Sequence, residues 1–299
     1  MLEMPGEVDD LHVVFSVLSP LVKLRYASGV EFYGFCGLPG VMQWQRFNKY
    51  ATIIRKLVYA PNSPRLPLKL LSQKAMVQIS HTRTRLEVFP NLNTLVWRPH
   101  SSAADAELGS PTLNDGLLFM HSAVTDFTFS HLNGHVEPDA NHFLRDIQLH
   151  MPNLTQLSRH TSQPVALLES GLCSLVKHLH AVTIMPLPAY YLTSRVAEAL
   201  SVLPSLRVMV VGHGKPEDVY PEHPSLAFRP VLPPNSFKAM RNLSVKMHAA
   251  DATKVLLTMT FPSDLRLFHV VFVTAVIPFD SQKLLEVSHK SIKPSAICH

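Results

Sequence analysis

Four short strings punctuate this sequence on one plan. Phe89-Pro90-Asn91-Leu92, Met151-Pro152-Asn153-Leu154 and Leu203-Pro204-Ser205-Leu206 each set an apolar residue, a proline and a small polar residue before a leucine. Phe261-Pro262-Ser263-Asp264-Leu265 follows the same plan with one residue added. Proline disfavours helical geometry in the residue before it. Each string therefore reads as the stop of a helix, a turn and the start of a strand. A fifth apolar-Pro-Asn, Ala60-Pro61-Asn62, falls outside the register. A chain that reuses one boundary in this way is assembled from copies of one small unit.

The strand that follows has the form apolar-x-x-apolar-x-apolar, the core of a leucine-rich repeat. It fits Ile54-Leu57-Tyr59, Leu92-Leu95-Trp97, Val124-Phe127-Phe129 and Leu179-Val182-Ile184. It also fits Leu206-Met209-Val211, Met240-Leu243-Val245 and Phe268-Val271-Val273, while Leu154-Leu157 begins the pattern with Arg159 in the last slot. Successive starts lie 38, 32, 30, 25, 27, 34 and 28 residues apart, irregular but close to the upper end of the leucine-rich range of ~20–29. With 46% of residues apolar, three chosen positions match by chance about one time in ten. The phased proline strings, not the template, carry the repeat.

Helical patterns precede several strings. Phe143, Ile147 and Met151 share a face over residues 141–151, and Leu192, Val196, Ala199, Leu200 and Leu203 over 191–203. Val255, Leu256 and Met259 do the same over 252–259. One unit orders ~30 residues at ~1–2 kcal/mol each and buries about eight large side chains at ~1.5–3 kcal/mol each. It cannot stand alone, so stacking on neighbours is compulsory. The expected fold is α/β: a leucine-rich-repeat solenoid of about eight irregular repeats, with a parallel sheet on one face and helices on the other.

Strand residues between the apolar slots are expected to face outward. They are Thr94, Val96 and Arg98; Asp126, Thr128 and Ser130; Gln156, Ser158 and His160; and Asn242, Ser244 and Lys246. A mixed surface of this kind suits a macromolecular partner, and a solvated sheet face has the same composition. Thr94, Arg98, Asp126, Thr128, Ser130, Gln156, Ser158, His160, Asn242 and Lys246 are the candidate partner-binding residues.

Other features bound the function classes. Twenty-four prolines against eleven glycines argue for many short elements and against glycine-rich phosphate loops. Gly212-His213-Gly214-Lys215 follows an apolar strand, but it lacks phosphate-loop spacing and Pro216 removes an N–H. Ser174-Leu175-Val176-Lys177 has no partner motif of a serine acyl-enzyme. His131 and His135, His178 and His180, and Cys298-His299 do not assemble the three or four ligands zinc needs. No enzyme, metal or cofactor is expected. The apolar run Val270 to Phe279 is broken by Thr274 and Pro278 and falls short of a membrane span. Glu3, Glu7, Asp9 and Asp10 replace the positive charge of a secretory signal. Three scattered cysteines, Cys36, Cys173 and Cys298, suit a reducing compartment, cytoplasmic or nuclear.

Charge is unevenly spread. From Phe32 to Leu86 there is no acid, while Arg46, Lys49, Arg55, Lys56, Arg65, Lys69, Lys74, Arg83 and Arg85 are all basic. Nucleic-acid or acidic-partner binding through residues 46–85 is the alternative function, with nucleic acid the less favoured ligand. A solvated basic face is the plainer explanation.

Trp44-x-x-Phe47-x-x-Tyr50-Ala51-x-x-Ile54-Arg55-x-Leu57 precedes the first repeat, and Phe89-Pro90-Asn91-Leu92-x-x-Leu95-x-Trp97 and Ala199-Leu200-x-x-Leu203-Pro204-x-Leu206 follow. In these strings the chain resembles the irregular leucine-rich F-box proteins of mushroom-forming fungi, over about residues 15 to 275. That resemblance implies a non-enzymatic substrate receptor: an N-terminal helical F-box docks on the adaptor of an SCF ubiquitin ligase, and the repeats present a protein substrate. An F-box opens with a Leu-Pro-x-Glu helix start, whereas this chain offers only Leu38-Pro39-Gly40-Val41. Val13, Val14, Phe15, Val17, Leu18, Leu21, Val22 and Leu24 are compatible with one apolar helix. Residues 1–45 are thus expected to be an N-terminal helical cap or truncated F-box remnant, and residues 46–299 the solenoid.

Overall fold

The strings at 89–92, 151–154 and 203–206 fold as tight turns; Phe261-Pro262-Ser263 of the fourth lies outside the described residues. A computed structural model of the chain describes residues 6–27, 30–60, 68–99, 111–131, 140–161, 164–212, 228–247, 255 and 264–272. In it Leu92 N donates to Phe89 O at 3.0 Å. The same bond joins Val124 to His121, Val182 to Leu179 and Met240 to Phe237, where no proline stands in the turn. The turn, rather than its proline, is the constant part of the repeat.

The chain divides into two units, Met1–Asn133 with Leu149–Met151, and Gly134–Gln148 with Pro152–His299. The first runs β1 (Glu7–Val8), α1 (Leu11–Ser16), β2 (Leu21–Ala27), β3 (Val30–Phe35), α2 (Val41–Ala51), β4 (Lys56–Tyr59), β5 (Leu68–Leu71), α3 (Gln73–Thr82), β6 (Thr94–Trp97) and β7 (Asp126–His131). A 3-10 turn at Asn114–Phe119 precedes β7. Strands β1, β4, β6 and β7 are parallel neighbours in that order. Their registers, Leu57↔Leu95↔Phe127 and Tyr59↔Trp97↔Phe129, stack the expected apolar slots, which are all buried. Tyr59 and Trp97 stack with centroids 4.4 Å apart, and the indole N–H donates to Thr112 O at 3.1 Å. On α2, Trp44, Phe47 and Ala51 face the core while Tyr50 is half out.

Residues 13–24 do not form one helix. Asp10 caps α1 by accepting from His12 N and Val13 N, but the helix ends at Ser16. Pro20 follows, and the β-branched and apolar residues beyond it enter β2, which pairs antiparallel with β3. Strand β5 joins β3 in parallel to complete a separate small sheet. Ser72 then caps α3 by accepting from Ala75 N at 3.2 Å.

The second unit contains most of α4 (Ala140–His150), then β8 (Gln156–Thr161), α5 (Val165–His178), β9 (Ile184–Leu187), α6 (Ser194–Ser201), β10 (Val208–Val211), β11 (Asn242–Met247) and β12 (Leu267–Phe272). The five strands are ordered as in the sequence, and each pairs in parallel with the next. Phe143 and Ile147 are buried on α4 as their spacing predicts. The helix expected over 191–203 is shorter: a 3-10 turn ends at Tyr191, and Thr193 caps α6 by accepting from Val196 N. Of the 252–259 pattern only Val255, buried, lies among the described residues. Parallel strands in sequence order, joined in most cases through helices and carrying a stacked apolar slot in each turn, make both units leucine-rich-repeat architecture, α/β in class.

Two registers differ from the sequence expectation by three residues. The pairs Gln156↔Ile184 and Val208↔Ile184 put Met185 and Leu187 in line with Met209 and Val211, so the repeat reads Val182-Met185-Leu187. Leu179 instead caps the end of α5, in the place that Phe89, Met151 and Leu203 hold before their own strands. At the last repeat Leu243↔Phe268 and Val245↔Val270 give Leu265-Phe268-Val270 rather than Phe268-Val271-Val273. In both places apolar residues recur every three, and the pattern alone fits two frames.

The odd residue, Arg159, keeps its inward slot and is buried. Its guanidinium lies over the Tyr191 ring, 5.1 Å from the centroid, and burial pushes its pKa below the usual range. An aromatic face is a sound substitute for hydration of a cation removed from water.

Candidate docking face

In each unit the strand residues between the buried slots form rows that cross the sheet. In the first unit the leading row is Glu7, Lys56, Thr94 and Asp126. Lys56 Nζ pairs with Glu7 at 2.8 Å. Burial pushes the Asp126 carboxyl up, against the opposing pull of Lys56, and its Oδ1 is buried without a hydrogen bond among the described residues. The next row is Val58, Val96 and Thr128. Arg98, just past β6, is exposed.

In the second unit the leading row is Gln156, Ile184, Val208, Asn242 and Leu267. Behind it run Pro186, Val210, Ser244 and His269, then Lys246 and Val271. Ile184, Val208 and Val210 are half-buried, and Leu267 is 44% exposed. The centre of this face is therefore apolar, with amide, hydroxyl and ammonium groups on its flanks. Ser244 Oγ and His269 Nδ1 lie 3.3 Å apart on open sheet. Among the described residues no carboxylate bonds to that imidazole. Nor do those residues bring three His, Cys, Asp or Glu side chains together around a metal-sized site.

The expected outward residues fall into two groups. Thr94, Asp126, Gln156, His160, Asn242 and Lys246 are half-exposed and Arg98 is exposed. Thr128, Ser130 and Ser158 are buried, at 8%, 3% and 4% exposure, which corrects their placement at a solvent-facing surface. Side chains this short do not rise above the longer groups beside them on the pleat.

Sequence reasoning missed the apolar centre. The frame starting at Leu179 turned Ile184 inward and left Val208 and Val210 without partners across the sheet. It also missed a charge pattern. The residue after the first apolar slot is arginine in three successive repeats: Leu206-Arg207, Met240-Arg241 and Leu265-Arg266. Aligning the repeats in the frame of the structure would have shown it.

The basic positions of 46–85 do not share one element. Arg46 and Lys49 are on α2, Arg55 and Lys56 at β4, Lys69 on β5, Lys74 on α3, and Arg83 and Arg85 beyond it; Arg65 lies outside the described residues. Among the described residues no helix is long and apolar enough to cross a membrane.

No family model matches the sequence, and no curated protein matches it. Among solved structures the chain is similar to the leucine-rich repeat-containing protein LegL7 from Legionella pneumophila, at 13% identity and a TM-score of 0.34, over 88% of this chain and 99% of that one.

Proposed function

We propose that the chain is a non-enzymatic protein-binding repeat molecule whose partner lies along the outward rows of its parallel strands. The observation behind this reading is the leading row of the second unit, Gln156, Ile184, Val208, Asn242 and Leu267, where part-exposed apolar side chains sit between hydrogen-bonding ones. Interfaces are built this way, with an apolar centre that excludes water and a polar rim that sets register. In the second unit Gln156, His160, Asn242 and Lys246 are the polar contacts in this proposal, and in the first unit, taken by itself, Thr94, Arg98 and Asp126 are the candidates.

The test uses a partner identified by affinity purification and titrated against the purified chain. Val210→Asp on the sheet face should weaken binding about tenfold or more. Val202→Asp, at an exposed position beyond α6, should leave it unchanged. Equal binding by both variants would end the proposal.

The finer reading, a substrate receptor of an SCF ubiquitin ligase, rests on the resemblance in residues 44–57, 89–97 and 199–206. Its test is co-precipitation of the full chain with the ligase adaptor, and absence of the adaptor would remove it. Within residues 6–27 and 30–45 the described elements are β1, α1, the β2–β3 hairpin and the start of α2.

A further inference from the structure

Arg207, Arg241 and Arg266 immediately precede β10, β11 and β12, whose first residues Val208, Asn242 and Leu267 are in register. Backbone bonds fix the three side by side: Arg241 N donates to Arg207 O at 2.8 Å, and Arg266 N to Arg241 O at 2.7 Å. Adjacent strands lie ~4.8 Å apart, so three guanidinium stems leave the backbone within ~10 Å of one another. Like charges set opposite one another in neighbouring strands repel. Asp264 relieves one of them, reaching Arg241 at 3.2 Å. Arg207 and Arg266 are exposed, and among the described residues neither has an ion-pair partner. The same position in the two preceding strands of this unit holds Thr155 and Thr183, so the charge is confined to one end of the sheet.

We propose that this arginine row binds the carboxylates of an acidic, extended segment in the protein partner, next to the apolar row that the segment's non-polar residues cover. The inference rests on the docking face proposed above and names the chemistry of its ligand. Two same-side residues of an extended chain are ~7 Å apart. Two such carboxylates laid across the strands fall between three arginines, each within reach of two guanidiniums, the geometry in which arginine is most effective. The row beside the arginines, Ile184, Val208, Asn242 and Leu267, contains no aromatic ring. Sequence-tolerant binding of single-stranded nucleic acid relies on such rings for stacking. A polypeptide with alternating acidic and aliphatic residues matches both rows.

The experiment is fluorescence anisotropy with the full chain and a fluorescein-labelled peptide rich in Asp, Glu and Leu. A matched peptide carries Asn and Gln instead of the acids, and a single-stranded DNA of equal charge is the third probe. Only the acidic peptide should bind, more weakly as salt rises. Arg207→Glu/Arg266→Glu should lose about tenfold in affinity, with its thermal melt unchanged because both side chains are exposed. A peptide with Lys at the acidic positions should bind that variant. Equal binding of the acidic peptide by both proteins would overturn the proposal, as would DNA binding as tightly through the same arginines, or failure of the acidic peptide to bind. Val210→Asp against the purified partner reads the docking face separately. Loss there with no acidic-peptide binding would discard the arginine row and keep the face.

Discussion

Gly212 offers a sharp test of the strand ladder. It follows β10 with φ at +89°, and its N–H donates to Leu187 O at 2.8 Å. A Cβ at this position would lie 2.3 Å from Lys246 O and 2.6 Å from Lys246 Cβ. Gly212→Ala therefore meets two penalties. The left-handed backbone costs an L-residue about 1–2 kcal/mol. The carbonyl oxygen of Lys246 belongs to backbone and cannot swing aside, so β11 must move by about an ångström, stretching a ladder bond worth about 0.5–1.5 kcal/mol. Together they predict a loss of about 1.5–3.5 kcal/mol. Gly37→Ala is the control, because a Cβ there meets nothing within 4 Å and φ is not left-handed; it should stay within about 0.5 kcal/mol of the parent. Urea unfolding followed by far-ultraviolet circular dichroism reads both, with hydrogen exchange in β10 and β11 locating the damage. With an m-value of about 2 kcal/mol/M, the Gly212 variant should unfold about 0.8–1.8 M earlier. A Gly212→Ala protein as stable as Gly37→Ala would refute the close approach of β10 and β11, and with it the register that aligns Val208 with Asn242.

Gly116→Ala should destabilise the first unit by about 1–3 kcal/mol, because the new Cβ lies 2.8 Å from Trp97 Cδ1; tryptophan fluorescence should report the displaced indole, and an unchanged spectrum and melt would count against that packing. Stability should also fall in mild acid through His121. Burial holds the imidazole below its ordinary value of 6.5, while Nε2 bonds Phe89 O at 2.9 Å and Nδ1 accepts from Ala123 N. The unfolded chain thus takes up a proton that the folded one resists. The stabilisation is full above pH 6.5 and drains away as pH falls from there toward the lower folded pKa. Urea midpoints across that range should slope more steeply for the parent than for His121→Leu, and parallel slopes would reject the assignment.

How much of this was legible in the sequence depends on what each residue had to compete with. The turn at Phe89-Pro90-Asn91-Leu92 was readable because proline leaves one plausible boundary. Leu179-His180-Ala181-Val182 makes the same i-to-i+3 bond without proline. There Leu179 and Val182 compete for one slot, and only pairing with Val208 decides between them. The N-terminal segment misled for a related reason. Val13 to Leu24 is apolar at helical spacing, but a six-residue helix and a strand satisfy the same composition once β3 is available as a partner.

The surface was less legible than the core because polarity is a poor guide to exposure on a pleated sheet. Thr128, Ser130 and Ser158 read as solvent-facing and are buried, while Ile184, read as an inward slot, and Val208 and Val210, which the repeat template left unassigned, are part-exposed. Burial of a short hydroxyl needs only longer neighbours and a nearby hydrogen-bond acceptor. A half-exposed valine suits a strand on propensity alone, so its place on the sheet does not by itself call for a partner. What sets this stretch apart is that the part-exposed apolar row adjoins the exposed Arg207 and Arg266, the pair of features that the proposed acidic, extended segment would match.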